Sequence, residues 1–212
     1  MLERSVPMYQ ECQSLAVHWC TQFAKAKTSI YDLGCSTGTL LLKLAHSVEK
    51  NKEITLFGID NSQAMLEKSR KTLEKSPAPC KLIEADLNQG LQIHNASVVV
   101  MNYTLQFIFP ENRIQVLANI LKGLVPGGSL ILIEKIKSDI PELDRTFIEF
   151  HHQFKRNKGY SRLEISRKRE SLENVLTPLT VEENQNLMKK AGFSIVDLFF
   201  KWNNFAGFIA LN

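Results

Sequence analysis

Short apolar runs at 29–33, 53–59, 81–85, 96–101 and 129–134 punctuate the chain, and between them apolar residues recur every three or four positions. The first pattern is that of buried strands, the second that of amphipathic helices. Leu15, Trp19 and Phe23 stand four apart in a helix predicted over 8–25. Leu40, Leu41, Leu44 and Val48 mark another at 39–49, and Met65, Leu66 and Leu73 one that starts after Asn61-Ser62. Asn and Ser are favourable N-cap residues, and Pro77 and Pro79 end that helix. A further helix at 111–124 runs into Pro126-Gly127-Gly128, a stop and turn signal. The run at 96–101 is apolar except for Ser97, as suits a central parallel strand covered on both faces.

Strand and helix in strict alternation imply a doubly wound parallel sheet with right-handed crossovers. The rhythm changes near residue 141. From there to 176 the pattern is helical without a strand, and it includes the capping box Ser161-Arg162-Leu163-Glu164. A helix at 181–191 closes at Gly192, and strands at 194–201 and 205–211 turn at Asn203-Asn204. A terminal antiparallel hairpin on a five-stranded α/β core is the layout of the Rossmann-like seven-stranded methyltransferase fold. Here it carries a helical insertion between strands five and six. With no repeat, low-complexity tract or flexible linker, residues 1–212 read as a single domain.

Composition narrows the setting. Hydrophobic residues at 44% and charged residues at 23% are ordinary for a globular protein with a substantial core. The net charge of +4 permits an anionic substrate without demanding one. The excess is uneven, because Lys155, Arg156, Lys158, Arg162, Arg167, Lys168 and Arg169 lie close together. No RNA-recognition motif or interleaved aromatic platform accompanies them, so small anions are preferred to direct nucleic-acid binding. Cys12, Cys20, Cys35 and Cys80 form no C-x-x-C pair and no metal-ligand spacing, so no metal is expected. Four free thiols suit a reducing compartment. The N-terminus lacks the apolar core of a signal peptide, and no stretch reaches the roughly 20 apolar residues of a membrane span. A cytoplasmic protein without membrane contact is the expectation.

The chemistry concentrates at strand ends. Asp32-Leu33-Gly34-Cys35-Ser36-Thr37-Gly38-Thr39 reads as strand, glycine turn and helix start, a geometry that brings backbone N–H groups close to a polar ligand. About 20 residues on, Leu56-Phe57-Gly58-Ile59-Asp60 ends in an acid placed to accept both ribose hydroxyls of a nucleoside. Asp86 and Asn102 follow the third and fourth strands, completing a nucleoside cleft. Gly34-Cys35-Ser36-Thr37-Gly38 also matches the G-x-S-x-G nucleophile elbow, but that elbow needs strands upstream, and only a helix precedes Ser36. In a dinucleotide loop the middle glycine admits the pyrophosphate, and here it is Ser36. A ligand without a pyrophosphate, such as S-adenosylmethionine, fits better.

The chain resembles the carboxy-S-adenosyl-L-methionine synthases of bacterial tRNA wobble-uridine modification. The resemblance rests on Arg4-Ser5-Val6-Pro7-Met8-Tyr9, Tyr31-Asp32-Leu33-Gly34-Cys35-Ser36, Ile59-Asp60-Asn61-Ser62 and Asn102-Tyr103-Thr104-Leu105-Gln106-Phe107. Most diagnostic are His151-His152-Gln153-Phe154-Lys155-Arg156, Gly159-Tyr160-Ser161, Leu163-Glu164-Ile165-Ser166 and Lys168-Arg169 through Leu172-Glu173-Asn174-Val175, all in the insertion. It implies a transferase, acting as a homodimer, that converts S-adenosylmethionine and prephenate to carboxy-S-adenosylmethionine and phenylpyruvate. It also implies a ligand site of Tyr9, Gly34, Cys35, Ser36, Asp60, Asn61, Asp86, Leu87, Asn102 and Arg169. In it Asp86 would take the adenine amino group, Asn102 and the loop the methionyl end, and Arg169 the added carboxylate. The chain departs from the family pattern at Thr37 and at Met8, where glycine is usual, and family members usually carry a further N-terminal segment. Two other readings stand beside this one: an ordinary S-adenosylmethionine-dependent methyltransferase acting on tRNA or a small molecule, and a non-catalytic binding partner. Adjacent histidines on a helix point in different directions, so His151 and His152 read as structural.

Overall fold

The computed structural model describes residues 2–172 and 175–212; Glu173 and Asn174 of the diagnostic insertion segment lie outside them. Seven strands form one sheet: β1 (Ser29–Leu33), β2 (Thr55–Asp60), β3 (Cys80–Glu84), β4 (Ala96–Asn102), β5 (Leu124–Lys135), β6 (Ile195–Trp202) and β7 (Phe205–Leu211). Their order is β3-β2-β1-β4-β5-β7-β6. The first five are parallel, and β7 pairs antiparallel with both β5 and β6. This is the doubly wound sheet with a terminal hairpin that the pattern predicts. The order reverses between β1 and β4, the switch point where such sheets open a crevice beyond their strand ends.

Both faces of the sheet are buried, and the strand period of two divides the core. Along β4, Val98 and Val100 pack on one face with Leu41, Leu44, Leu56, Ile131 and Ile133. Val99 and Met101 pack on the other with Leu117, Ile120, Leu132, Met188 and Phe208. The first face is covered by α2 (Tyr9–Phe23) and α3 (Thr39–Ser47), with α4 (Gln63–Leu73) beside them. The second is covered by α5 (Arg113–Gly123) and α8 (Val181–Lys190). Ahead of these, α1 (Leu2–Ser5) is a single short turn.

The insertion consists of α6 (Pro141–Asn157) and α7 (Arg162–Leu172), broken at Gly159, whose φ is +85°. Its capping box is formed: the Ser161 amide donates to Glu164 Oε2 at 2.8 Å and the Glu164 amide to Ser161 Oγ at 3.2 Å. A second box, Thr180 with Glu183, opens α8.

Of the boundaries that differ from expectation, two have a clear physical reason. Pro126-Gly127-Gly128 does not separate helix from strand, because β5 starts at Leu124 directly after α5. Leu124 already pairs with Ala96, and the register then jumps to Ser129 opposite Val98, so the proline and glycines bulge out of the strand. The helix predicted over 8–25 is α2, and it begins at Tyr9, not Met8, because Met8 is left-handed with φ 54°. Only glycine adopts that conformation without steric cost, so Met8 starts the helix from a strained position.

Candidate functional site

The first turn of the cleft is dictated by close packing. Gly34 has φ +81°, and a Cβ there would lie 2.3 Å from Thr104 Oγ1. That hydroxyl donates to the Leu33 carbonyl at 2.8 Å, so β1 and the segment after β4 are pinned together across the glycine. Gly38, with φ +76°, is held equally closely by Ser69 Oγ, 2.4 Å from an ideal Cβ. The loop amides are spent inside the protein. Gly34 and Cys35 donate to the Ile59 carbonyl at 2.7 and 2.9 Å, and Ser36 donates to Asp60 Oδ2 at 2.9 Å. The amide cradle expected from the glycine pattern is therefore absent at these three positions. What the loop presents instead is a close approach at Gly34 and the Ser36 side chain, both of which line the cleft. Cys35 is buried and faces the core near Gly58 and Leu41. Burial pushes its thiol far up, with Asp32 and Asp60 adding to the effect.

Asp60 is fixed through both oxygens, since Oδ1 also accepts from the Ser62 amide at 2.9 Å. A carboxylate has about four lone-pair sites, so two remain for a ligand. Among the described residues Asp86 is braced on one oxygen only: Oδ1 accepts from the Asn88 amide at 2.9 Å and its Nδ2 at 3.1 Å. Asp60, Asn61, Asp86, Leu87 and Asn102 all line one cavity of about 440 Å³ at the strand ends. Oxygens of its lining residues, Asn102 Oδ1 and Gln106 Oε1 among them, are buried without a hydrogen-bond partner among the described residues. Buried polar atoms are nearly always paired, so this wall is built to meet polar groups of a ligand. An acid at each of two neighbouring strand ends and an unpaired amide oxygen beyond them fit an adenosyl group bearing a polar tail.

Asp32 lies behind the loop, 2% exposed. Burial, helped by the Asp60 charge, lifts its carboxyl to about 7. Glu134 is a residue the sequence reading missed. Its Oε1 accepts from the Thr104 and Leu105 amides at 2.9 and 2.7 Å and its Oε2 from Gln106 at 3.3 Å, fixing the turn after β4. Burial still wins, raising this carboxyl to about 8 against the pull of those amides and of Arg113. The available signal was an acid closing the apolar run Leu130-Ile131-Leu132-Ile133, the same arrangement that singled out Asp60.

The remaining two site residues lie elsewhere. Tyr9 is half-buried at the start of α2 and does not line the cavity; burial raises its phenol first, then the nearby Asp32 charge. Arg169 lines a second chamber of about 550 Å³, together with Lys135, His151, His152, Lys155 and Lys168. Among the described residues no carboxylate lines that chamber. His152 stands with Arg156, Arg162 and Arg169 on its outer side. His151 borders both spaces, and its Nε2 reaches the Ser5 carbonyl at 2.8 Å. The N-terminal motif clasps the insertion here: Arg4 donates to the Lys158 and Gly159 carbonyls at 3.0 and 3.1 Å and lies over the Tyr160 ring. Among the described residues there is no cluster of three or more metal-ligating side chains, and no helix is long and apolar enough to cross a membrane.

Known proteins place this geometry. A family model described as a methyltransferase domain matches residues 30–128, from β1 into β5. An O-methyltransferase family protein from Burkholderia thailandensis superposes with a TM-score of 0.66 at 20% identity, covering 100% of this chain and 57% of that one, which shows the fold. The carboxy-S-adenosyl-L-methionine synthase of Methylococcus capsulatus is 45% identical over 100% of the chain and 88% of its own length. That of Desulfotalea psychrophila is also 45% identical, over 100% of the chain and 86% of its own length. The match runs through the cleft, the N-terminal clasp and the insertion alike, and on it the chain belongs to the carboxy-S-adenosyl-L-methionine synthase family of transferases.

Proposed function

We propose that the protein converts S-adenosylmethionine and prephenate to carboxy-S-adenosylmethionine and phenylpyruvate, supplying carboxymethyl groups for tRNA wobble uridines. The observation that carries this reading is a chamber whose charged lining, among the described residues, is cationic throughout, and which shares a wall with the nucleoside cleft. Transfer of a methyl group to a neutral acceptor has no use for such a wall, whereas a dianionic co-substrate needs one.

In this reading Asp60 takes the ribose hydroxyls, Asp86 the adenine amino group through its less occupied carboxylate, and Asn102 the methionyl end. Prephenate aromatises by losing carbon dioxide and hydroxide. The hydroxide removes a proton from the sulfonium methyl group and leaves as water. The resulting ylide carbon attacks the carbon dioxide, forming the new C–C bond and the carboxylate. No side chain has to exchange covalent bonds, and the protein contributes by holding the two substrates together and excluding water. Arg169 is the group suited to grip the new carboxylate, because its planar fork can bind it in two places. Arg169 lines the second chamber and not the cleft, and a homodimer is part of the reading. A cytoplasmic setting without direct nucleic-acid binding completes it.

Mass spectrometry of the small molecule released on denaturing the purified protein tests the reading. The expected species is an adenosyl sulfonium heavier than S-adenosylmethionine by one carboxyl group in place of a hydrogen. Turnover of S-adenosylmethionine to S-adenosylhomocysteine with an acceptor, and no carboxylated species with prephenate, would replace it with a methyltransferase.

A further inference from the structure

The ammonium groups of Lys135, Lys155 and Lys168 come from three separate elements, the end of β5, α6 and α7. All three residues line both the nucleoside cleft and the second chamber, so they stand where the two spaces meet. None of the three has an ion pair or a side-chain hydrogen bond among the described residues. The acid whose charge bears on Lys135 is Asp144, and its Oδ1 is engaged by the Ser138 amide at 2.9 Å. Burial, followed by the charges of Lys135 and Lys168, pulls the Lys155 ammonium down to about 8. Like charges gathered without counter-ions are unfavourable by themselves and are relieved by an anion between them. The rest of the chamber's lining is apolar, with Ile148, Ile165 and Pro178 in the chamber alone and Leu172 and Leu176 shared with the cleft.

We infer that Lys135, Lys155 and Lys168 form the carboxylate-binding face of the co-substrate site, and that the wall of Ile148, Ile165 and Leu172 seats an apolar ring. The site takes a small cyclic dicarboxylate, set so that a carboxylate leaving as carbon dioxide emerges at the mouth of the nucleoside cleft. This assignment rests on the proposed function and extends it from Arg169, the product clamp, to three residues that select the other substrate. Lysines suit the task better than arginines at this point. A carboxylate that must depart is held by point charges without the planar two-point grip that would keep it.

The test uses the full chain, with prephenate and S-adenosylmethionine as probes. Lys155→Gln, Lys168→Gln and Lys135→Gln should each raise the KM for prephenate about 10- to 100-fold, the range for losing a charged hydrogen bond. The calorimetric Kd for S-adenosylmethionine should stay within about twofold, which also certifies folding, and Lys155→Arg should recover part of the loss. A prephenate KM unchanged in all three variants, with carboxy-S-adenosylmethionine still made, overturns the lysine site and leaves the function standing. Chemical modification of the unaltered protein with trinitrobenzenesulfonate, mapped by mass spectrometry, reads the site independently of turnover. Prephenate added with S-adenosylmethionine should protect Lys155 and Lys168 while leaving exposed Lys75 and Lys189 reactive. If no carboxylated product forms, the function fails, and this protection then decides the site alone: equal modification with and without prephenate overturns it.

Discussion

Nε2 of His151 lies 2.8 Å from the carbonyl oxygen of Ser5, 146 positions away in sequence. A carbonyl oxygen only accepts, so Nε2 carries the proton and the ring is the neutral Nε2–H tautomer or the cation. Burial decides between them by pulling His151 from 6.5 down to about 3. The ring also meets Phe205 edge-on at 5.1 Å between centroids. A neutral imidazole thus ties the N-terminal clasp to α6 and the terminal hairpin, beside the cleft.

That relationship fixes a pH dependence. The folded pKa lies below the unfolded one, so the unfolded chain binds the proton more readily between them. The contribution of His151 is complete above pH 6.5 and is lost as pH falls toward 3. His151→Gln keeps an N–H donor and removes the titration. Its melting temperature should fall less than that of the unaltered protein between about pH 7 and about pH 5. Parallel curves over that range would show that the ring is not held neutral.

Asp32 gives the opposite slope. Its folded pKa is raised from 3.8 to about 7 by burial and by Asp60, so its contribution is complete below 3.8 and lost as pH rises through 7. Asp32→Asn should therefore gain on the unaltered protein as pH goes from about 5 to about 8, in urea midpoints at constant m. A difference that does not change with pH would contradict the buried, protonated carboxyl.

Gly34→Ala combines two costs. The left-handed backbone disfavours alanine by roughly 1–2 kcal/mol, and crowding Thr104 adds about 1–3 kcal/mol. Thr104→Ala in the same chain should return most of the second cost and none of the first, and it gives up the bond to Leu33 as well. Denaturation of the four members of the cycle measures this. Additive effects would mean that Gly34 and Thr104 do not meet as the structure has them.

Arg169 separates the two sulfonium ligands. If it grips the added carboxylate, Arg169→Ala should weaken carboxy-S-adenosylmethionine by about 2–5 kcal/mol and S-adenosylmethionine far less. Arg169→Lys should restore part of the difference. Calorimetric titration of both ligands settles it, and an equal loss for the two would make the arginine structural.

Much of this molecule is local physics and was legible in the chain. The alternation of apolar runs with three-and-four periodicity gave the strands and helices of the sheet, because burial on both faces demands it. Asp60, Asp86 and Asn102 declared themselves as polar residues closing apolar runs, and the cavity collects all three. The capping box at Ser161 formed as written, since both of its partners lie within one helical turn.

What the sequence by itself could not determine were relationships across long separations. Only the packed sheet brings Thr104 onto Gly34, and that contact joins the left-handed backbone in requiring the glycine, whose amide serves Ile59 and not a ligand. Met8 is an ordinary helix former by composition, yet the chain is left-handed there, between the clasp residues and α2. The basic residues of the insertion look in sequence like one solvated face. The packed structure divides them, setting half-buried Lys155 and exposed Lys168 on the chamber's lining with Lys135 and leaving Lys158 off it. That sorting depends on which helix faces meet the sheet, and tertiary packing decides that where local periodicity does not.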